Sequence, residues 1–281
     1  MTRFCINPAT TMTTDFVTDL RAYALAGFKA TELWLAKVDR YVESGHSWAE
    51  VGTLLRDHGL AAPAACAQGN LLIPAADDRQ TFLDALARRL EALAIVGCPI
   101  LIVPSEPLPQ PLPRPVASLY EQAVANFAEA CDLARPYGVS LALEFIKGPR
   151  LVGTPLTAQD IVIRSGRDNA GVLFDTFHFY AGYGKQEDLL HLDRRHLLFV
   201  HVNDAPGDVP REALTDKDRV LPGVGSFPLT AVLRRLQDLS YDGYYSLELF
   251  NDDLWAADPI RVAQQAYQSL VDLFADVSAK D

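Results

Sequence analysis

Residues 172–180 read VLFDTFHFY, an apolar run in which two ionisable side chains, Asp175 and His178, stand three residues apart. An uninterrupted apolar run is typical of a parallel strand that is buried on both faces. A carboxylate and an imidazole at the carboxyl end of such a strand are costly to leave unpaired. This segment alone leaves two interpretations open: Asp175 caps the following loop, or it belongs to an active site at the rim of a barrel.

The chain repeats one unit eight times: a short apolar strand, a polar loop and an amphipathic helix. Strict alternation of strands and helices implies a parallel sheet, and eight such units close into a barrel. The predicted strands are residues 3–7, 29–35, 60–67, 100–103, 140–145, 172–175, 197–203 and 244–249. No change in composition marks a domain boundary. We therefore predict an α/β fold with one (β/α)8 TIM-barrel domain over residues 1–281, and a doubly wound open sheet is the alternative.

The predicted helices lie between these strands, and several end at a glycine, which is a common C-cap. They cover residues 15–26, 47–58, 77–96, 116–137, 157–163, 186–191, 228–239 and 259–277. The proline-rich segment 104–115 suits neither a helix nor a central strand, so we interpret it as a stiff loop on the rim.

Composition and charge exclude several classes of protein. Of all residues, 49% are hydrophobic, yet no apolar run approaches the roughly 18 residues of a membrane span. The formal net charge of −11 speaks against a nucleic-acid partner. The four scattered cysteines form no C-x-x-C pair, and the N-terminus lacks a signal-peptide pattern, so we predict a cytoplasmic protein with reduced thiols. The sequence is compatible with a homo-oligomer.

Ionisable side chains stand near the carboxyl ends of four successive predicted strands, each among apolar neighbours: Glu144, Asp175, His201 and Glu248. One buried carboxylate at such a place can be structural. Three carboxylates in one barrel mouth repel one another unless a cation lies between them. We therefore predict that these four residues bind one divalent ion, either Mn²⁺, Co²⁺, Mg²⁺ or Zn²⁺.

Such an ion, with four protein ligands, has coordination positions left for two substrate oxygens, and an α-hydroxyketone supplies such a pair. The ion would polarise the carbonyl and stabilise the enediolate that forms when the neighbouring carbon loses a proton. Glu144 and Glu248 are the predicted catalytic acid/base pair, because each can bind the metal with one oxygen and face the substrate with the other.

Two residues are the main candidates for contacts with the substrate. His178 would donate a hydrogen bond to a substrate oxygen, and the alternative is a histidine packed among the aromatic rings of FHFY. Arg219 lies in the segment LTDKDRVLPGVG, residues 214–225, and would fix a substrate hydroxyl or the developing oxyanion. Arg211 is predicted to lie in solvent.

Further candidates stand on the rim. Trp34 and Glu32 end the second predicted strand and would line the cavity, or make ordinary rim contacts. Lys147, three residues after Glu144, would contact substrate from the same wall. The remaining histidines lie in helix or loop contexts, and we interpret them as surface residues: His46, His58, His191 and His196.

Six segments carry a resemblance to a known family: FCINPATT, YGVSLALEF, VLFDTFHF, HVNDAPGDVP, LTDKDRVLPG and YYSLELF. The chain resembles the xylose-isomerase-like TIM-barrel superfamily of sugar isomerases and epimerases and, within it, the inosose isomerases of inositol catabolism. The resemblance implies the four metal ligands and the glutamate pair named above, with His178 and Arg219 touching substrate. It also implies that the ketone of a cyclic polyol moves to an adjacent carbon. The chain departs from the family pattern at residues 104–115, 147–150 and 223–225, which are rim segments.

Other functions are alternatives on this fold. A ketose 3-epimerase or a sugar dehydratase would use the same metal site. A DNA-repair hydrolase needs several metal ions, more histidines and a basic groove, which the charge and the histidine count do not favour. A binding protein would not need paired glutamates at the metal. The predicted partner is a small polyol or keto-sugar.

Overall fold

Eight parallel strands form one closed sheet in the computed structural model, which describes residues 2–74 and 79–279. The strands are β1 (Arg3–Ile6), β2 (Leu33–Trp34), β3 (Ala65–Cys66), β4 (Ile100–Pro104), β5 (Ser140–Glu144), β6 (Ala170–Asp175), β7 (Leu197–Val202) and β8 (Tyr244–Leu247). Hydrogen bonds link them in the order β1-β8-β7-β6-β5-β4-β3-β2. A parallel bridge between Ile6 and Thr31 joins β1 to the chain just before β2. The predicted barrel is confirmed.

Ten α-helices are found in the described residues: α1 (Phe16–Ala26), α2 (Leu35–Glu43), α3 (Trp48–Asp57), α4 (Arg79–Val96), α5 (Val116–Ala134), α6 (Pro155–Ser165), α7 (Thr176–Ala181), α8 (Leu229–Asp238), α9 (Asp252–Ala256) and α10 (Pro259–Ser278). None of these helices is both long enough and apolar enough to cross a membrane. The start of the third predicted helix, at Asp77, lies outside the described residues. The helix predicted over residues 186–191 is present as a 3-10 helix.

The sequence prediction missed α2, α7 and α9, which begin within a few residues of the end of a strand. The helices α7 and α9 are short, with six and five residues. The residue that caps each missed helix also ends the preceding strand or loop. The N-cap of α7 is Asp175, the last residue of β6, and the N-cap of α2 is Trp34. The second strand is therefore shorter than predicted, because Leu35 already belongs to a helix.

Local sequence signals fix where the longer helices begin and end. Asp15 accepts a hydrogen bond from the Thr18 amide at the start of α1. Gly27 ends the same helix with φ of +105°, a left-handed conformation that costs glycine little. Such tight ends keep the helix-to-strand connections short, so that the longer loops gather at the carboxyl ends of the strands.

Inside the barrel, small and apolar side chains form a floor: Cys5, Ala30, Ala64, Cys66, Ile102, Ala142, Leu173 and Phe199. Alternate residues of a strand face the same side of a sheet. A residue two positions after a member of this floor therefore also faces inward. Five such residues are polar: Asn7, Glu32, Glu144, Asp175 and His201. The barrel interior is thus apolar below and polar at the mouth.

We expect Phe199→Ala to lower the free energy of unfolding by about 3–5 kcal/mol, because Phe199 is fully buried in the floor and its loss leaves a cavity. Urea unfolding followed by circular dichroism measures this change. The control is Leu25→Ala on α1, where the side chain is 58% exposed, and we expect a change within about 0.5 kcal/mol. Equal losses in the two variants would contradict this account of the floor.

Candidate metal centre

Four neighbouring strands deliver the four predicted metal ligands to one level of the barrel mouth. Glu144 ends β5, Asp175 ends β6, His201 is the fifth residue of β7, and Glu248 directly follows β8. Asp175 pairs with His201 across β6 and β7, and His201 pairs with Ser246 of β8. All four ligand side chains are buried. The sheet register therefore brings together residues that are far apart in the sequence.

One ligand atom from each of the four residues lies within 4.8 Å of all the others. Nδ1 of His201 is 3.1 Å from Glu248 Oε2, 3.5 Å from Glu144 Oε1 and 3.6 Å from Asp175 Oδ2. This nitrogen is buried and makes no hydrogen bond. A buried imidazole nitrogen that faces three carboxylate oxygens has the donor set of a divalent cation site, so these residues fit such an ion.

The structure shows that Asp175 caps the next helix and also lies in the buried cluster, so the two interpretations are compatible. Its Oδ1 accepts a hydrogen bond of 2.9 Å from the amide of His178 and so caps α7. Its Oδ2 faces His201 Nδ1 within the ligand cluster. The two carboxylate oxygens have separate tasks, and the helix that one of them caps carries His178 toward the cavity.

Burial and mutual repulsion shape the protonation of the cluster. Burial raises the pKa of Glu144 to about 7. Burial lowers the pKa of His201, but Glu248 and Glu32 outweigh it and hold that pKa well above the usual range. For Asp175, burial raises the pKa, whereas Arg219 and other neighbouring cationic groups bring it below the usual range. A divalent ion would take the place of the protons that Glu144 and His201 otherwise keep.

Arg219 is the cation that the protein itself supplies to this cluster. Its side chain is 1% exposed. Nη1 donates to Glu248 Oε2 at 2.8 Å and to Asp175 Oδ2 at 3.1 Å. Nη2 donates to Asp216 at 2.7 Å and to Nε2 of His178 at 3.2 Å. The guanidinium therefore links two of the metal ligands to the histidine that the sequence assigned to substrate.

His178 is left with one free polar atom. Because a guanidinium only donates, Nε2 of His178 accepts the bond from Arg219 and the ring proton stays on Nδ1. Burial lowers the pKa of His178 to about 4, which keeps the ring neutral at pH 7. Nδ1 is buried and has no hydrogen-bond partner among the residues that the structure describes. It is thus a donor available to a ligand oxygen.

Aromatic rings form one side of the mouth. The Arg219 guanidinium carbon lies 4.7 Å from the centre of the Phe177 ring and 5.2 Å from that of Phe250. Phe250 in turn meets Trp34 edge to face, with ring centres 6.0 Å apart. Trp34 also packs against the barrel floor. The predicted cavity position of Trp34 therefore agrees with its place beside the ligand cluster, while its contact with substrate stays a prediction.

The loop that carries Arg219 is fixed by a buried aspartate. Oδ2 of Asp204 accepts hydrogen bonds from the amides of Gly223 at 3.0 Å and Gly225 at 3.1 Å. A Cβ on Gly225 would lie 2.3 Å from Asp204 Oδ1, so only glycine fits there. Asp204 also pairs with Val220, the residue after Arg219. The Pro-Gly-x-Gly turn thus holds the arginine in place.

Three residues outside the predicted ligand set hold the ligands in place. Glu32 Oε1 lies 3.1 Å from Nε2 of His201. Asn7 donates through Nδ2 to Glu248 Oε1 at 3.0 Å, and Asn203 donates to Asp175 at 3.4 Å. Sequence reasoning missed Asn7 and Asn203 and placed Glu32 only as a cavity-lining residue. The sequence does contain a signal for Asn7 and Glu32, because each lies two residues after a small residue that faces the barrel interior.

Two basic residues of the rim join loops. Lys147 donates through Nζ to the carbonyl oxygens of Glu212 and Leu214, so it links the loop after β5 to the loop after β7. Its contact with substrate stays a prediction. The prediction that Arg211 lies in solvent is wrong, because its guanidinium is partly buried and donates to two carbonyl oxygens of the loop after α7.

Four histidines were predicted at the surface. Of these, His46 and His191 are exposed, whereas His58 and His196 are half-buried.

The family model of the xylose isomerase-like TIM barrel matches residues 20–273. This chain belongs to that family. Inosose isomerase of Bacillus velezensis is 30% identical over 278 residues, which cover 96% of this chain and 97% of the relative. The resemblance found in the sequence is confirmed.

Two solved structures share the architecture. The crystal structure of the IOLI protein with a zinc atom is 26% identical, with a TM-score of 0.91 over 99% of this chain and 100% of that chain. A structure of D-psicose 3-epimerase in the presence of D-fructose is 18% identical, with a TM-score of 0.79 over 99% of this chain and 100% of that one. The epimerase comparison shows a shared fold.

We expect the chain to bind one divalent ion, with an affinity that rises as the pH is raised through about 7. The reason is that Glu144 and His201 have raised pKa values and must lose their protons before they can bind a cation. Calorimetric titration with Zn²⁺ or Mn²⁺ between about pH 6 and about pH 8 measures the effect. His201→Ala is the companion variant and should bind more weakly at every pH. An affinity independent of both pH and His201 would contradict this site.

Proposed function

We propose that this chain is a divalent-metal-dependent isomerase that moves the ketone of an inosose, or of a related keto-sugar, to the neighbouring carbon. The observation that carries the proposal is the buried cluster of three carboxylates and one imidazole whose ligand atoms lie within 4.8 Å of one another. The full-length similarity to a relative named inosose isomerase supports the choice of substrate.

Glu144, Asp175, His201 and Glu248 would hold the ion. When bound, a divalent cation polarises a carbonyl and offsets the negative charge that develops on its oxygen. The two glutamates belong to β5 and to the end of β8, at opposite ends of the arc of four strands. A ligand above the cluster would therefore have a carboxylate on each side.

We assign the proton transfers to this glutamate pair. One glutamate carboxylate takes the proton from the hydroxyl-bearing carbon, a protonated glutamate of the pair gives a proton to the former carbonyl carbon, and exchange with solvent restores the starting protonation of both. The hydroxyl proton moves between the two oxygens, so the product has the same atoms as the substrate. Among the described contacts, Glu144 meets no donor other than His201, which leaves its second oxygen free to face substrate.

The remaining residues of the mouth would orient the substrate. The unpaired Nδ1 of His178 would donate to one substrate oxygen, and the guanidinium of Arg219 would donate to a second substrate oxygen. The rings of Trp34 and Phe250 offer an apolar wall for the C–H groups of a cyclic polyol. An apolar wall beside polar donors suits a substrate ring with hydroxyl groups at its edge.

We expect Glu248→Gln to lower kcat by about 100- to 10,000-fold, because the amide cannot carry the proton. The measurement is steady-state turnover at saturating metal, with the metal content of each preparation determined, so that loss of the ion is separated from loss of the base. Glu144→Gln should have an effect of similar size. The control is Glu212→Gln, an exposed glutamate of the rim loop, which should match the unmodified protein. Retained turnover in Glu248→Gln would remove Glu248 from the acid/base role.

We expect deuterium at the exchanging carbon of the product when the metal-loaded protein converts an inosose in D₂O, because the transferred proton passes through a carboxylate that exchanges with solvent. NMR of a panel of inososes and ketohexoses identifies the substrate and the labelled position in one experiment. A product without deuterium would point to a hydride shift instead. Inversion of one ketohexose centre would replace the isomerase proposal by an epimerase, and loss of water would replace it by a dehydratase.

A further inference from the structure

Glu32 lies beneath the ligand cluster, on the side of His201 that faces away from the predicted ion. It directly precedes β2 and is fully buried. Its Oε1 and Oε2 are 3.1 Å and 3.3 Å from Nε2 of His201. The other ring nitrogen, Nδ1, faces the three carboxylates of the cluster. The imidazole thus stands between Glu32 and the place where a cation would bind.

A carboxylate on one ring nitrogen decides what the other nitrogen can do. A neutral imidazole carries one N–H and one lone pair, and an ionised carboxylate can only accept a hydrogen bond. Glu32 therefore draws the ring proton to Nε2 of His201. The lone pair then lies on Nδ1, directed at the cluster, which is the form that binds a metal.

Glu32 is itself held in place by a second strand. Ser246 of β8 donates through Oγ to Glu32 Oε1 at 2.5 Å, and Ser246 is fully buried. Ser246 is also the residue that pairs with His201 across the sheet. The carboxylate is therefore fixed relative to both β7 and β8, so that the plane of the imidazole ring is fixed as well.

Packing alone does not account for a carboxylate at this position. Within residues 2–74 and 79–279, the ion-pair partner of Glu32 is His201, and no lysine or arginine reaches it. Burial of an acidic group without a permanent cation is unfavourable, and an apolar side chain would fill the same space at less cost. A carboxylate at Nε2 has a function if Nδ1 of His201 must keep its lone pair free to bind a cation.

We propose that Glu32 is a positioning residue that sets the tautomer and the orientation of His201, so that Nδ1 is ready to bind the divalent ion. The proposal rests on the metal site put forward above. Glu32 touches neither the substrate nor the ion, and its effect reaches the reaction through His201. Its loss should therefore appear first in metal affinity.

Two substitutions separate this role from packing. Glu32→Leu fills the space but removes the acceptor, and we expect Zn²⁺ affinity to fall about 10- to 100-fold. Glu32→Gln keeps an acceptor oxygen, and its affinity should lie nearer to that of the unmodified protein. Glu106→Gln is the matched control, because Glu106 is a buried glutamate whose side chain, among the described residues, accepts from the amides of Leu72 and Ile73. Competition with a chelator, followed by calorimetry, gives all four affinities.

A second readout examines the tautomer in the unmodified protein. In a ¹⁵N-labelled, zinc-loaded sample, NMR should show the His201 proton on Nε2, slow to exchange with solvent. Glu32→Leu should lose this slow exchange, and Glu32→Gln should keep it. This measurement remains decisive even where Glu32→Leu does not fold.

Two results overturn the proposal: a folded Glu32→Leu that binds Zn²⁺ as tightly as the unmodified protein, or a zinc-loaded His201 whose proton lies on Nδ1. Absence of Zn²⁺ and Mn²⁺ binding in the unmodified protein would instead overturn the proposed function, and this inference with it. Equal Zn²⁺ affinities of Glu32→Leu and the unmodified protein would overturn only the proposed role of Glu32. Turnover is not needed to tell these results apart.

Discussion

Repulsion among buried carboxylates is the constraint on which the rest of this structure depends. Glu144, Asp175, Glu248 and Glu32 all lie within the barrel mouth, and each is less than a tenth exposed. Ionised together in a poorly hydrated space, they would destabilise the fold strongly. Arg219 offsets part of this charge through two of them. A divalent cation among the ligand atoms would offset most of the remainder, so the ion of the proposed function would also stabilise the fold.

The barrel builds this mouth from simple alternation along its strands. An apolar floor excludes water from below, and on five of the strand segments the next inward residue is polar. Around this layer, longer loops hold the groups that the strands cannot supply. Asp204 fixes the turn beside Arg219, and the cap that Asp175 provides starts the helix that carries His178. Fold and site are thus made from the same contacts.

Much of this could be predicted from the sequence, because apolar runs broken by single ionisable residues are unusual. That pattern predicted the eight strands and the four residues that the structure brings together in one cluster, and it placed His178 near them, whereas Arg219 was predicted from the loop segment 214–225. The direct hydrogen bond between Arg219 and His178 and the part played by Asn7 depend on side-chain distances that no local pattern encodes. The short helix after Asp175 was missed because six residues are too few for helical periodicity to show.

The most direct test of the central claim is anomalous X-ray diffraction from crystals of the protein loaded with Zn²⁺ or Mn²⁺. We expect one strong anomalous peak at the barrel mouth, within bonding distance of His201 Nδ1 and of oxygens from Glu144, Asp175 and Glu248. A peak elsewhere on the molecule, or an ion that leaves Nδ1 of His201 without a bond, would contradict it.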